Sequence, residues 1–326
     1  MSVLYALFLL VILFVTELVY FKIADHYNII DQPNHRSSHS TVTIRGGGII
    51  FGVAGLLAFF LFGFQYLFFS IGLFLIALIS FLDDMHTLNN KVRLVVHGLS
   101  VLLLFTQLDV IYFPWYFTAI GAVVVIGTIN AYNFMDGING ITGGYSLLLL
   151  ATLYYIDQYI IDFTSVQLLL TVIIAVIVFN YFNFRKKAKC FAGDVGSVSI
   201  AFIIVFLLGQ LIFKTQNPVY ILFLLVYGLD TVTTIFFRVM RKENIFKAHR
   251  SHFYQFLSNE KKWPQLAVVA LYLAVQLAIN ALILFVIQAN LLSALFLLML
   301  CLVVFVSLRL KIEGKEHLFN LKLSDG

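Results

Sequence analysis

The stretch Asn130-Ala-Tyr-Asn-Phe-Met-Asp-Gly-Ile-Asn-Gly-Ile-Thr-Gly-Gly144 places polar residues and glycines between two long apolar runs, 115–129 and 145–159. In hydrocarbon an unpaired amide is costly, so this stretch must line a wet cavity or a membrane surface. Asn130 and Asn133 fall on one helical face, and Asp136-Gly137 favours a break before the next helix. A polar turn between two membrane helices is the alternative interpretation.

The rest of the chain is mostly apolar. Its 326 residues are 61% hydrophobic and 11% charged, against about 25% charged in soluble domains. We therefore expect an all-α, polytopic integral membrane protein, with residues 1–326 as a single transmembrane domain and the first span retained rather than cleaved as a signal peptide. Apolar runs predict about eleven spans, near residues 2–22, 47–64, 66–82, 92–108, 113–131, 143–161, 164–182, 195–213, 217–237, 266–287 and 290–308.

Positive charge indicates the orientation of these spans. If they cross alternately, 20 of the 21 lysines and arginines follow the odd-numbered spans. The positive-inside rule then places the N-terminus outside and the C-terminus in the cytoplasm. Every polar motif falls on the cytoplasmic side, which favours an enzyme over a transporter, because a transporter needs a path to both faces. The net charge of +5 favours anionic lipid headgroups or an anionic substrate, and nothing indicates nucleic-acid binding.

A pair of carboxylates, Asp83-Asp84, ends the third span. Adjacent carboxylates repel each other unless a cation or a proton relieves them. Mg²⁺ is typically held by one or two carboxylates together with substrate phosphates. The pair therefore predicts a magnesium site, with a charged helix end as the alternative.

A second candidate motif, Gly193-Asp194-Val-Gly196-Ser197, opens the eighth span. Free N–H groups and the helix dipole at such a terminus suit an anionic ligand. Asp194 would repel a phosphate, so a bridging Mg²⁺ makes the combination favourable. The alternative is an N-cap aspartate with glycines that serve packing.

Two cytoplasmic loops carry cationic or hydrogen-bonding side chains. Arg45-Gly46-Gly47-Gly48 joins a permanent cation to a backbone that can wrap a phosphate or a ring, or is a plain flexible linker. His249-Arg250-Ser251-His252 lacks the partners of a metal pair and suits hydrogen bonding to a phosphate or a sugar, or has no role. Cys190 and Cys301 form no motif, so neither a disulfide nor a zinc site is expected.

Two more carboxylates lie within predicted spans, where an ionisable residue usually has a function. Asp230 lies toward the cytoplasmic end of the ninth span, and we expect it to reach the same cavity. Glu17 lies near one end of the first span and is expected to reach the membrane interface.

In this order, the motifs resemble those of the polyprenyl-phosphate N-acetylhexosamine-1-phosphate transferases, glycosyltransferase family 4, over roughly residues 30 to 260. The resemblance implies that undecaprenyl phosphate attacks the β-phosphate of a UDP-N-acetylamino sugar. The products are an undecaprenyl-pyrophosphoryl sugar and UMP, and the cofactor is Mg²⁺, with Mn²⁺ as an alternative. The pathway implied is the initiation of a cell-surface polysaccharide such as O-antigen.

The resemblance also implies roles for individual residues. Asp194 matches the principal metal ligand and Asn133 a second one. Asp83 and Asp84, catalytic together with Asp194, match a pair that orients or deprotonates the lipid phosphate. The residues expected to bind the substrates are Arg45, Gly47, Lys91, Asn130, Asp136, Gly137, Asn139, His249, Arg250 and His252.

Two differences from the family's motifs indicate which sugar the chain transfers and which branch of the family it resembles. Asn139 stands where phospho-N-acetylmuramoyl-pentapeptide transferases of the MraY type carry a second aspartate, as in WecA-like members. Residues 249–255 lack the histidine-rich run of both the MraY and the WecA types and are closer to the WbpL-type branch. An N-acetylhexosamine such as GlcNAc, or a deoxy derivative, is therefore favoured. An MraY-type activity and a lipid-linked sugar transporter or flippase are the alternatives. Partners expected are both substrates, membrane lipids and a second copy in a homodimer, in the bacterial inner membrane.

The reaction itself needs little base catalysis. A phosphate monoester has a second pKa of about 6, so the lipid phosphate is largely a dianion and already nucleophilic. We therefore favour direct displacement, with Lys91 or Arg93 near the lipid phosphate. A covalent route through Asp83 is the alternative.

Overall fold

The computed structural model describes residues 3–31, 42–86, 88–245 and 249–319. These residues form two compact units, divided between Gln216 and Asn217. Helices make up most of the described residues, and the only sheet among these residues is one two-stranded pairing, so the all-α prediction is confirmed. The single domain over 1–326 stays a prediction.

The first unit packs its helices around one apolar helix. Its described elements are α1 (Val3–His26), β1 (Ile30–Asp31), β2 (Thr43–Ile44), α2 (Ile49–Leu61), α3 (Leu67–Met85), α4 (Asn90–Gln107), the 3₁₀ segment Val110–Tyr112, α5 (Trp115–Met135), α6 (Ile141–Tyr159), α7 (Val166–Asn183) and α8 (Gly193–Thr215). The strands pair antiparallel, Ile30 opposite Ile44. Helices α2, α3, α5 and α6 all pack on α8, whose residues 195–208 are all buried. A helix enclosed in this way can be apolar all round, and its N-terminal turn is held in place for the site.

In the second unit, three α-helices are continuous with a 3₁₀ or a π-helical segment. Its described elements are the 3₁₀ segment Pro218–Leu224, α9 (Leu225–Met240), α10 (Phe253–Gln255) with the π-turn Phe256–Glu260, α11 (Gln265–Ala281) with the π-turn Leu282–Val286, α12 (Leu291–Ile312) and α13 (Lys315–Phe319). Gln276 of α11 accepts from the N–H of Val226 at 2.9 Å and donates to the carbonyl of Leu222 at 3.1 Å. Those bonds satisfy backbone groups that the 3₁₀-to-α transition leaves open.

Each predicted span coincides with a helix, but the count of eleven is not confirmed. Among the described residues, eight helices are long and apolar enough to cross a membrane. Helix α2 has only 13 residues, and α4 and α6 are not among the eight. The first turn of helix α4 contains the charged residues Lys91 and Arg93. The first turn of α6 belongs to the polar, glycine-rich Asp136–Gly144 stretch.

Candidate active site

Three aspartates and two arginines meet in the first unit; we call Arg45, Asp83, Asp84, Arg93 and Asp194 the carboxylate–arginine cluster. Arg45 follows β2, the Asp83-Asp84 pair ends α3, Arg93 lies in the first turn of α4, and Asp194 opens α8. Arg45 Nε lies 2.7 Å from Asp84 Oδ1, and its Nη2 lies 3.3 Å from Asp194 Oδ1. Arg93 Nη1 lies 2.6 Å from Asp83 Oδ2, and its Nη2 lies 3.5 Å from Asp194 Oδ2. Each arginine therefore bridges Asp194 to one member of the aspartate pair.

The buried carboxylate of Asp84 caps helix α8. It accepts the backbone N–H groups of Asp194 at 3.0 Å and Val195 at 2.9 Å. We expected these free N–H groups to face an anionic ligand, and that expectation is wrong for these two, because an internal carboxylate takes them. Burial would lower the pKa of Arg45, but Asp84, followed by Asp194, raises it above its usual value, so Arg45 stays charged beside them.

Asp83 is held on two sides. Besides its pairing with Arg93, it accepts the N–H of Leu88 at 2.8 Å, which fixes the turn between α3 and α4. The same guanidinium also reaches the Asp194 carboxylate, with Arg93 Nη2 3.5 Å from Asp194 Oδ2. Arg93 is therefore a cation that relieves the repulsion between the Asp83 and Asp194 carboxylates.

Asn133 approaches the first turn of α8 through Ser197. The Ser197 hydroxyl lies 3.4 Å from Asn133 Oδ1 and 3.0 Å from the carbonyl of Gly193. One side chain therefore separates Asn133 from the turn that carries Asp194.

The glycines of the Arg45–Gly48 loop serve close packing on α8. A Cβ on Gly48 would lie 2.3 Å from the Cα of Gly196, and one on Gly46, where φ is +80°, would meet the Tyr20 hydroxyl at 2.4 Å. The Tyr20 hydroxyl donates to the carbonyl of Arg45 at 2.6 Å. Of the interpretations of Gly196, the packing alternative is confirmed, and the loop is tied down rather than a flexible linker.

The turn between α5 and α6 is fixed mainly by its own polar residues. Asp136 accepts from the Thr142 hydroxyl at 2.7 Å, and burial raises its pKa to about 7, with the nearby Asp194 and Asp84 carboxylates adding to the shift. The Asn139 amide donates to the carbonyls of Arg185 at 3.1 Å and Lys186 at 3.3 Å, so it holds the loop after α7. Contact of either residue with a substrate stays a prediction.

Four other predicted substrate contacts differ in their exposure, and Gly47 among them is buried. Gly47 donates its N–H to Phe191 at 2.8 Å, and Gly137 is half-buried. Lys91 and Asn130 are exposed. Their substrate-binding roles stay predictions.

The predicted histidine residues belong to the second unit. His252 is 1% exposed, and its Nδ1 lies 3.2 Å from Asp230 Oδ1. Asp230 also accepts the N–H groups of Phe253 and Tyr254 at 2.9 and 3.1 Å, so it caps α10 rather than lying open to a ligand. His249 is half-buried, with a pKa lowered to about 4 chiefly by burial.

The structure gives definite positions to three residues that the sequence analysis left open, did not mention or placed wrongly. Arg93, weighed equally with Lys91, is the one found in the cluster. Tyr20 fixes the Arg45 loop, and its only signal was its place one turn after Glu17. The expectation that Glu17 reaches the membrane interface is wrong, because it is 0% exposed and lies 3.7 Å from the Cys190 thiol.

We expect Arg93→Gln to lower transferase turnover by about 10- to 100-fold, because a site that handles anions loses an oriented cation and Asp83 and Asp194 lose their shared partner. The measurement is turnover of the purified protein at saturating substrates. Lys187→Gln, which removes an exposed charge, is the matched control. Equal turnover of the two variants would contradict a role for Arg93.

The donor set suits a hard divalent cation that also binds substrate phosphates. Among the described residues, no group of three or more His, Cys, Asp or Glu side chains is arranged to hold a metal by itself. Carboxylate and amide oxygens of Asp83, Asp194 and Asn133 lie in or beside one cluster, and Mg²⁺ typically takes one or two protein carboxylates and completes its shell with water and phosphate. The residues present therefore fit Mg²⁺.

Apolar helices whose ends assemble a partly buried carboxylate–arginine cluster place the chain among integral membrane enzymes. Residues 66–211 match the model of Glycosyl transferase family 4, so this part of the chain is similar to that family. It is 28% identical over 287 residues to the probable undecaprenyl-phosphate N-acetylglucosaminyl 1-phosphate transferase of Bacillus subtilis, covering 81% of this chain and 79% of that protein.

Relatives in other bacteria carry a corresponding name. The undecaprenyl-phosphate alpha-N-acetylglucosaminyl 1-phosphate transferase of Yersinia pestis is 28% identical, over 83% of this chain and 80% of its own length. That of Escherichia coli K12 is 27% identical, over 82% and 80%. The similarity therefore extends well beyond the residues that match the family model.

Proposed function

We propose that the chain transfers an N-acetylhexosamine-1-phosphate, with GlcNAc as the first choice, from its UDP-sugar to undecaprenyl phosphate and releases UMP. The reaction takes place at the cytoplasmic face of the bacterial inner membrane. The proposal rests on Asp194, in the first turn of helix α8, whose carboxylate pairs with both Arg45 and Arg93. This places charged groups of both signs at one point, as needed to bring two phosphorylated substrates together.

Charge supports a requirement for Mg²⁺. Three carboxylates against two guanidiniums leave the cluster with a net negative charge, which repels phosphates. Asp194 and Asn133 would hold the metal, and Asp83 is joined to Asp194 through Arg93. When bound, Mg²⁺ supplies charge neutralisation for the donor diphosphate and the departing UMP.

The protein's own residues mainly position and neutralise the reactants. Arg93, anchored by Asp83, is placed to orient the lipid phosphate, and Arg45, anchored by Asp84, to meet the donor. A lipid phosphate oxygen bonds to the β-phosphorus while the bond to the α-phosphate oxygen breaks, so UMP leaves with that electron pair. Positioning of this kind, together with charge neutralisation, accounts for most of what a protein contributes to phosphoryl transfer.

Direct displacement is favoured over a covalent aspartyl intermediate. Asp83 is the candidate nucleophile of the covalent route, but its carboxylate is paired with Arg93 at 2.6 Å and accepts the N–H of Leu88 at 2.8 Å. Such contacts lower its nucleophilicity. Labelled phosphate retained on Asp83 after quenching would contradict direct displacement.

The names of the relatives favour GlcNAc over the muramoyl-pentapeptide and over a deoxy amino sugar. A transporter or flippase has less support, because the cluster is built at one end of α3 and α8 rather than along a path. The MraY-type activity is the second candidate, and the donor assay below includes its substrate.

The test is a donor panel with the purified protein in lipid vesicles that contain undecaprenyl phosphate. Labelled UDP-GlcNAc, UDP-GalNAc, a deoxy UDP-sugar and UDP-muramoyl-pentapeptide are supplied separately, and the label in the organic phase and UMP are measured. We expect UDP-GlcNAc to transfer and equal amounts of UMP to appear. EDTA should stop the reaction, and added Mg²⁺ should restore it.

Vesicles without undecaprenyl phosphate are the control, and no label should enter their organic phase. Preference for UDP-muramoyl-pentapeptide would establish the second candidate. Label crossing the membrane without UMP release would favour a transporter. Full activity after EDTA treatment would remove the Mg²⁺ requirement.

A further inference from the structure

Arg309, near the end of α12, is a charged residue that is only 1% exposed. Its Nη1 donates to the hydroxyls of Thr233 at 3.0 Å and Thr234 at 2.8 Å, both on α9. Burying a guanidinium is costly unless it is fully partnered, and packing of α12 on α9 would not by itself need a charge. This side chain therefore requires a further explanation.

The remaining donors of Arg309 reach outside the two helices. Its Nη2 donates to the carbonyl of Ser251 at 3.0 Å and to Glu313 Oε2 at 3.2 Å, and its Nε donates to Glu313 Oε1. All five N–H groups of the guanidinium are thus used, in the fixed fork that only arginine offers. The ring of Phe237 lies 5.2 Å from its Cζ and restricts its plane.

The Ser251 carbonyl is the point at which Arg309 holds the His249–His252 segment. Within that segment the Ser251 hydroxyl lies 3.0 Å from His249 Nδ1, and Asp230 fixes His252 from the other side. Hydrogen bonds from groups on α9 and α12 therefore fix the shape of the segment.

Both partners of Arg309 outside α9 line one cavity of the second unit, with a volume of about 920 Å³. His249, Arg250 and Ser251 line it together with Glu313. Arg309 does not line the cavity, yet it bonds to Ser251 and Glu313, which do. Its displacement would change their spacing without removing any group that a ligand touches.

We propose that Arg309 is a positioning residue for binding of the donor's nucleoside diphosphate. Through Ser251 and Glu313 it sets the spacing of the cavity walls and the direction in which His249 and Arg250 point. The inference rests on the proposed function, since it takes the His249–His252 segment as part of the donor site. It adds to that function a residue in α12, outside every motif of the sequence analysis.

The experiment compares steady-state kinetics of the full chain in vesicles for Arg309→Gln, Arg309→Lys and the wild type. For Arg309→Gln the KM for UDP-GlcNAc should rise about 10- to 100-fold, as expected when binding groups are misplaced by an ångström. The kcat and the KM for undecaprenyl phosphate should stay near the wild-type values. Arg309→Lys should recover part of the loss, because an ammonium can still reach Ser251 and Glu313. Lys311→Gln is the matched control, since Lys311 is exposed on the same helix.

Thermal unfolding of each variant separates positioning from stability. A fall in kcat and in the unfolding temperature at an unchanged donor KM would overturn the proposal and leave Arg309 a structural group. If Arg309→Gln does not fold, Thr233→Val removes one partner of the guanidinium and should raise the donor KM about threefold; an unchanged KM there also overturns it. Wild-type protein that transfers no sugar contradicts the proposed function itself, whereas active wild type with unaltered variants contradicts only this inference.

Discussion

Asp194→Asn should reduce sugar-phosphate transfer by about 10³-fold, even with Mg²⁺ in excess. The Asp194 carboxylate lies 3.3 Å from Arg45 and 3.5 Å from Arg93, and it is the proposed principal ligand of the metal. Asparagine keeps the size and one acceptor oxygen but removes the charge. The two arginines then lose their common partner, and the metal loses its anionic ligand. Label in the organic phase and UMP release measure the loss.

Asp162→Asn is the matched control for this variant, because Asp162 is an exposed aspartate of the same unit. It should turn over like the wild type. Asp194→Glu, which keeps the charge but moves it by one methylene, should retain some activity and need more Mg²⁺ for half-maximal rate. Normal turnover of Asp194→Asn would remove the metal-ligand assignment, and an unchanged Mg²⁺ requirement in Asp194→Glu would argue that Asp194 acts only on the arginines.

The parts of this site that follow from local pattern could be predicted from the sequence. Apolar runs fix where helices lie, and polar residues that interrupt them at a membrane surface must find partners. The convergence of Asp83, Asp84 and Asp194 followed from placing their helix ends on one face. The exact partner of each carboxylate did not follow, because ion pairing depends on distances between segments far apart in sequence.

Residues whose role depends on tertiary packing escaped the sequence analysis for the same reason. Arg309 lies near the end of an apolar span, and by sequence alone it marks only the cytoplasmic end of that span. Asp84 looked like a free ligand, but the N-terminus of α8 provides its hydrogen bonds. A buried carboxylate takes the nearest donors that the fold supplies, and one sequence does not reveal which these are.

The role of a glycine is also difficult to predict from sequence, because the same residue type serves both flexible loops and close backbone contacts. Gly48 and Gly196 lie 148 positions apart, and no local rule pairs them. Their contact brings the loop that carries Arg45 against the turn that carries Asp194. The second large effect that we expect follows from this contact.

Gly48→Ala should lower activity by about a hundredfold, because the added methyl would lie 2.3 Å from the Cα of Gly196 and 2.9 Å from the carbonyl oxygen of Ala192. Both are backbone atoms, so the clash cannot be relieved by a side-chain rotation. The loop must move away from α8 by about an ångström, which misplaces Arg45 by a comparable distance. Overpacking of this kind also costs about 1 to 3 kcal/mol of stability.

Gly127→Ala is the matched control, since Gly127 lies within α5 and its added methyl would meet open space. There alanine should leave turnover unchanged and stabilise the helix by up to about 1 kcal/mol. Comparison of the two variants separates the effect of adding a methyl group from the effect of disrupting the contact between Gly48 and Gly196. Because the clash acts by displacing Arg45, Gly48→Ala should still fold and should lose little further activity when Arg45→Gln is added to it. Full additivity of the two changes would show that the Gly48 contact acts on the site by some route other than Arg45.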